Sequence, residues 1–190
     1  CILSDVSYED INSALPRLEN DWEIIVNFQG DMPFMSGKLI DKAIEFFREN
    51  AQIYSLVTIG IPIFSEEEFL SPHMVKVVVS SKGEGLYFSR APIPYDRDHD
   101  GQKLWPDING RKVFGFLHLG LYLYKPRVLS YYFEAAPSCL ESNEKLEQLR
   151  VLERGDRIGV MIVDPSYKDS FTDVNVEADL EQARNIARQG

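Results

Sequence analysis

The sequence predicts an α/β fold, a mostly parallel sheet flanked by helices with a small antiparallel lobe. Three observations carry this. Apolar runs rich in β-branched and aromatic residues alternate with helical patterns near both ends of the chain. The middle, from Val75 to Tyr124, holds strand signals almost without helix. The 190 residues, 44% hydrophobic and 26% charged, suffice for one domain with a real core. Residues 1–190 therefore read as a single domain, with 75–124 its strand-rich part.

The strand candidates are Trp22 to Phe28, Ile53 to Ile59, Val75 to Val79, Leu86 to Phe88, Val113 to Tyr124 and Ile158 to Val163, each apolar and rich in the residue types that fit a pleated surface. Between the first two, Ile40, Ala43, Ile44 and Phe47 recur at helical spacing. Leu146, Leu149 and Leu152 do the same, with Gly155 as the stop. A last helix, Glu177 to Arg188, carries Leu180, Ala183 and Ala187 on one face. The loop Arg97 to Lys112 has little apolar content beyond Leu104, Trp105 and Ile108, and is expected to be mobile or to fold over a ligand.

The formal net charge of −10 argues against a nucleic-acid partner, since phosphate neutralisation needs clustered Lys and Arg. An anionic ligand would need local help here, from a divalent cation or a few inward-pointing basic residues. Two cysteines, Cys1 and Cys139, have no metal-ligand spacing and suit a reducing, cytoplasmic setting. No apolar run reaches membrane-spanning length, so no membrane partner is expected.

Four segments could carry chemistry. Trp22 to Phe28 stops at Gln29-Gly-Asp31, where open α/β sheets place their ligands, beyond a strand's carboxyl end. Asp31 there could hold Mg²⁺ against phosphate oxygens, or merely close a turn through its own backbone hydrogen bonds; Gln29 has the same two readings. In Leu86-Tyr-Phe-Ser-Arg90-Ala-Pro-Ile-Pro94, Arg90 could fork onto a carboxylate, or form a structural ion pair. His118 lies in an apolar strand, Phe116 to Tyr124, where a hydrogen-bonded core residue is the preferred reading over a ligand contact. Tyr122 and Tyr124 alternate with leucines on one face. Glu147 and Gln148 lie beside the leucine stripe, and by pattern alone read as a solvated helix edge. Phosphate-loop, dinucleotide-binding, nucleophile-elbow and zinc-protease motifs do not occur.

Taken together, Val26-Asn-Phe-Gln-Gly-Asp31, Val75-Lys-Val-Val78, Leu86 to Pro94, His118-Leu-Gly-Leu-Tyr122 and Leu140-Glu through Lys145-Leu-Glu-Gln-Leu-Arg-Val-Leu-Glu153 resemble the Kdo cytidylyltransferases, or CMP-Kdo synthetases, in order and wording. The resemblance runs over nearly the whole chain from Trp22. It implies a nucleotide-diphospho-sugar transferase-like fold and a homodimer, its contact in the strand-rich part. It also implies transfer of CMP from CTP to 3-deoxy-manno-octulosonate (Kdo) for lipopolysaccharide biosynthesis, with Mg²⁺ as cofactor. On it, Asp31 is the catalytic Mg²⁺ ligand and Gln29 a nucleotide contact, while Arg90, His118, Tyr122, Glu147 and Gln148 line or support the sugar site.

Such enzymes open with a strand and a basic, glycine-containing nucleotide loop, so the chain is expected to be N-terminally incomplete. Where the family has Val-Asp-Thr, supplying a second metal carboxylate, Val174-Asn175-Val176 stands here. Asn175, or Asp173 in its place, would hold that second position. The alternative to the enzyme is a non-catalytic sugar-acid-binding paralogue that lacks the loop.

Overall fold

The computed structural model describes residues 23–27, 35–97, 105, 107–129 and 136–171, the last few by backbone alone. Their order is β1 (Ile25–Asn27), α1 (Gly37–Glu49), β2 (Leu56–Ile63), α2 (Glu66–Leu70), β3 (Lys76–Val79), β4 (Gly85–Ser89), β5 (Gly115–Tyr124), α3 (Cys139–Glu144), α4 (Gln148–Glu153), β6 (Ile158–Ile162) and a 3-10 helix, Pro165–Phe171. Asp31, Gln29, Asp173, Asn175 and the helix expected at 177–188 lie outside the described residues.

The strands form one six-stranded sheet in the order β4-β3-β5-β2-β6, with β1 also pairing β5. The α/β class is as expected, but the sheet is mixed rather than mostly parallel: only β2 and β6 pair in parallel among the described residues. The reason is β5. From the pairings, β1, β2, β3 and β6 all run the same way, as strand–helix alternation implies, but the long β5 runs against them in the centre and makes its own contacts antiparallel. Its first half borders β3 and its second half borders β1.

Alternation along β5 builds two cores. Leu117, Leu119, Leu121 and Leu123 face α1, meeting Leu39, Ala43 and Phe47 together with Val57, Ile59 and Ile61 of β2. Phe116, Tyr122 and Tyr124 face the other way, onto Leu146, Leu149 and Val151 around α3 and α4. Full burial of Leu39 and Phe47 contributes about 2–3 kcal/mol each, enough to anchor α1. The pairing of β2 with β5 shifts between Thr58 and Ile59, where Thr58 opposes Tyr122 but Ile59 opposes Leu119. Gly120 and Leu121 are therefore the extra residues of a bulge, and because they are two, the faces keep alternating on either side of it.

The leucine stripe at Leu146, Leu149 and Leu152 is not one helix. Ser138 caps α3 in a capping box with Glu141, and Lys145, left-handed at φ 57, ends it before Leu146. The chain then restarts as α4 and stops, as expected, at Gly155 with φ 82. Glu141 also takes both Nε and Nη2 of buried Arg150, at 2.6 and 2.7 Å, locking α3 to α4. On the far side of β2, Gly159 of β6 has no room for a side chain: a Cβ there would lie 2.4 Å from the Tyr54 ring.

Candidate active site on the sheet face under the short helices

His118 and Tyr122 share the β5 face that carries α3 and α4, and Arg90 follows Phe88, which lies in the same core, by one strand repeat. The rings form a contiguous patch. Phe88 meets His118 edge-on at 5.0 Å, and His118 lies 5.4 Å from Tyr122 between ring centres. Tyr122 then donates its hydroxyl to Oε1 of Gln148, at 3.1 Å.

Gln148 is 1% exposed, which overturns its reading as part of a solvated helix edge. The break at Lys145 rotates the first turn of α4 inward, so Gln148 points at the sheet while Glu147, at the cap, stays half-buried. Among the described residues the buried Nε2 of Gln148 makes no hydrogen bond, an expensive state unless a ligand supplies the acceptor.

His118 takes the core reading. It is a hydrogen-bonded core residue, 8% exposed, whose Nε2 lies 2.9 Å from the hydroxyl of Thr58. It also borders the patch holding Tyr122 and Gln148. Burial lowers its pKa from 6.5 to about 3, so the ring is neutral throughout the physiological range.

Arg90 is held rather than free-swinging. Its Nε donates to the Glu144 carbonyl at 3.0 Å and its Nη1 to the Pro72 carbonyl at 3.2 Å. The Glu144 carboxylate accepts in turn from Ser89 Oγ at 2.5 Å and from the Arg90 amide at 3.0 Å. Beneath them Lys76, fully buried in β3, donates to the carbonyls of Ser71, Met74 and Arg90. Its pKa is lowered first by burial and then by the nearby Arg90 charge, with Glu144 opposing. Glu144, which orients Arg90, ends α3, and three and four residues on the chain reaches Glu147 and Gln148. Five sequence-identified residues, Arg90, His118, Tyr122, Glu147 and Gln148, thus belong to one region where β4, β5 and the α3–α4 junction meet.

Sequence reasoning missed Thr58, Lys76 and Glu144. A signal existed for two: each is a polar residue in a strand otherwise apolar, Leu56 to Ile63 and Val75 to Val79, and such a residue must find buried partners. Nothing in the pattern marks Glu144. Among the described residues no group of three His, Cys, Asp or Glu side chains could hold a metal ion.

A family model for cytidylyltransferases matches residues 5–158. The 3-deoxy-manno-octulosonate cytidylyltransferase of Geotalea daltonii is 43% identical over 153 residues, covering 78% of this chain and 57% of the relative. That of Idiomarina loihiensis is 36% identical over 183 residues, covering 95% of this chain and 68% of the relative. A solved structure of CMP:2-keto-3-deoxy-manno-octonic acid synthetase complexed with CTP matches with a TM-score of 0.79 at 28% identity, over 98% of this chain and 69% of that one. The 4-diphosphocytidyl-2C-methyl-D-erythritol synthase of Anaerococcus prevotii, at TM-score 0.52 and 13% identity, shares the fold alone. This chain spans 57% and 68% of the length of those two relatives. By sequence and by fold, then, the chain belongs to the cytidylyltransferase family, alongside the 3-deoxy-manno-octulosonate enzymes.

Proposed function

We propose that this chain provides the sugar side of a CMP transfer in which the anomeric hydroxyl of Kdo attacks the α-phosphorus of CTP. The new bond is oxygen to phosphorus and the hydroxyl's O–H bond breaks, its proton passing to solvent; the bond to the bridging oxygen breaks, and pyrophosphate leaves with the electron pair. The observation that carries this reading is the buried amide nitrogen of Gln148, unpaired among the described residues and beside Tyr122 and His118, on a face where Arg90 is anchored. Arg90 would pair with the sugar carboxylate through the part of its guanidinium that Glu144 and Pro72 do not use. Neutral His118, Tyr122, Glu147 and Gln148 would orient the hydroxyls, fixing the attacking oxygen without adding a net positive charge.

Asp31, with Asp173 or Asn175, would hold Mg²⁺; these oxygen donors suit a hard cation. When bound, the ion would supply neutralisation of phosphate charge, and Gln29 would contact the nucleotide. The edge strand β4 exposes Leu86, and Tyr95 beyond it is 71% exposed, which supports a homodimer contact in the strand-rich part. No helix among the described residues is long and apolar enough to cross a membrane. A cytoplasmic reaction without nucleic-acid or membrane partners fits this reading.

The test is pyrophosphate release by the full-length native protein given CTP, Mg²⁺ and Kdo. Release that requires Kdo supports the proposal. Kdo binding without turnover would favour a sugar-acid-binding protein, and preference for another sugar acid would move the substrate.

A further inference from the structure

We propose that Thr58 sets the tautomer of His118, making the ring an acceptor at Nδ1 for a ligand hydroxyl, so that Thr58 is a positioning residue for sugar recognition. The ligand half rests on the sugar-binding reading above; the tautomer does not.

The Thr58 hydroxyl lies 2.8 Å from the Leu121 carbonyl, 3.1 Å from the Leu119 carbonyl and 2.9 Å from His118 Nε2. Carbonyls only accept, and a hydroxyl has a single proton to give. Once that proton goes to a carbonyl, the short contact to His118 is favourable only if Nε2 carries hydrogen and donates to Oγ1. A neutral imidazole has one N–H, so Nδ1 is then bare. The bulge makes this possible, because looping out Gly120 and Leu121 brings two carbonyls of one strand to the same hydroxyl. Deep burial keeps the second proton off the ring.

Among the described residues Nδ1 has no hydrogen-bond partner, and Nε2 of Gln148 is buried without one. Tyr122 stands between them, 5.4 Å from His118 by ring centres and bonded to the other end of the Gln148 amide. The patch thus offers one acceptor and one donor. A hydroxyl, which both donates and accepts, satisfies such a pair; a carboxylate or an ammonium satisfies only one member. The subsite is therefore built for a sugar hydroxyl, with the carboxylate left to Arg90.

Nitrogen-15 NMR of the full-length native protein labelled at histidine reads the tautomer directly, in wild type, Thr58→Ser and Thr58→Val. The expected wild-type His118 has a pyridine-like Nδ1 and a pyrrole-like Nε2, preserved in Thr58→Ser and lost in Thr58→Val. Kdo affinity should fall about tenfold in Thr58→Val, one hydrogen bond's worth, and stay near wild type in Thr58→Ser. Added Kdo should shift the Nδ1 line. A pyrrole-like Nδ1 in wild type, readable even if Thr58→Val fails to fold, overturns the proposal, as does an unchanged tautomer in a folded Thr58→Val. Kdo that binds without moving the Nδ1 line overturns the ligand contact alone. No Kdo binding, with the tautomer intact, overturns the ligand half together with the sugar reading.

Discussion

Acidification should destabilise the fold through His118. The ring titrates at 6.5 when unfolded and at about 3 when buried. With the folded pKa depressed, the unfolded state takes up the proton first. The contribution is full above the unfolded value and is lost as the pH falls from 6.5 toward 3, at about 1.4 kcal/mol per pH unit. Between about pH 7 and pH 5 the loss works out at about 2 kcal/mol, a sizeable part of the roughly 5–15 kcal/mol of a typical domain. Urea unfolding of wild type and His118→Gln over that range isolates it, because the carboxylates titrate in both proteins and cancel in the difference. The variant starts from its own baseline, but its stability should decline by about 2 kcal/mol less over the range. Equal declines would refute the reasoning, by showing that the folded protein protonates the ring at an ordinary pH.

Two further perturbations test the framework under the site. Lys76→Met removes the donor shared by the Ser71, Met74 and Arg90 carbonyls and should cost about 3 kcal/mol, roughly one for each; a urea midpoint implying under about 1 kcal/mol would contradict that role. Gly159→Ala drives a methyl into the Tyr54 ring and should cost about 1–3 kcal/mol, seen as a lowered Tm. Combining it with Tyr54→Leu should recover part of that loss, and no recovery would place the strain elsewhere.

The strands were legible because their apolar runs are long and β-branched, and even the facing of Tyr122 and Tyr124 against the leucines followed from a period of two. What the pattern could not show is strand direction, since β5 looks the same whichever way it runs, and so a mixed sheet read as mostly parallel. The short α2 escaped notice because Glu66–Leu70 is too brief to display a helical period, although Ser65 caps it and its first turn is acidic. The division of α3 from α4 depends on a left-handed lysine, a conformation that residue type does not announce. That break is what buries Gln148, so the pattern alone assigned it to solvent, while the resemblance to known enzymes pointed to the sugar site. Thr58 and Lys76 show the converse: a lone polar residue in an apolar strand announces a buried partner without saying which.

Calorimetric titration of Kdo and of CTP into wild type and Arg90→Ala bears most directly on the claim that this face receives an acidic sugar. Losing a charge-assisted pair of about 1.5–3 kcal/mol should weaken Kdo binding by a factor on the order of ten to one hundred and leave CTP binding nearly unchanged. Equal weakening of both ligands, or Kdo affinity untouched by the substitution, would contradict the account.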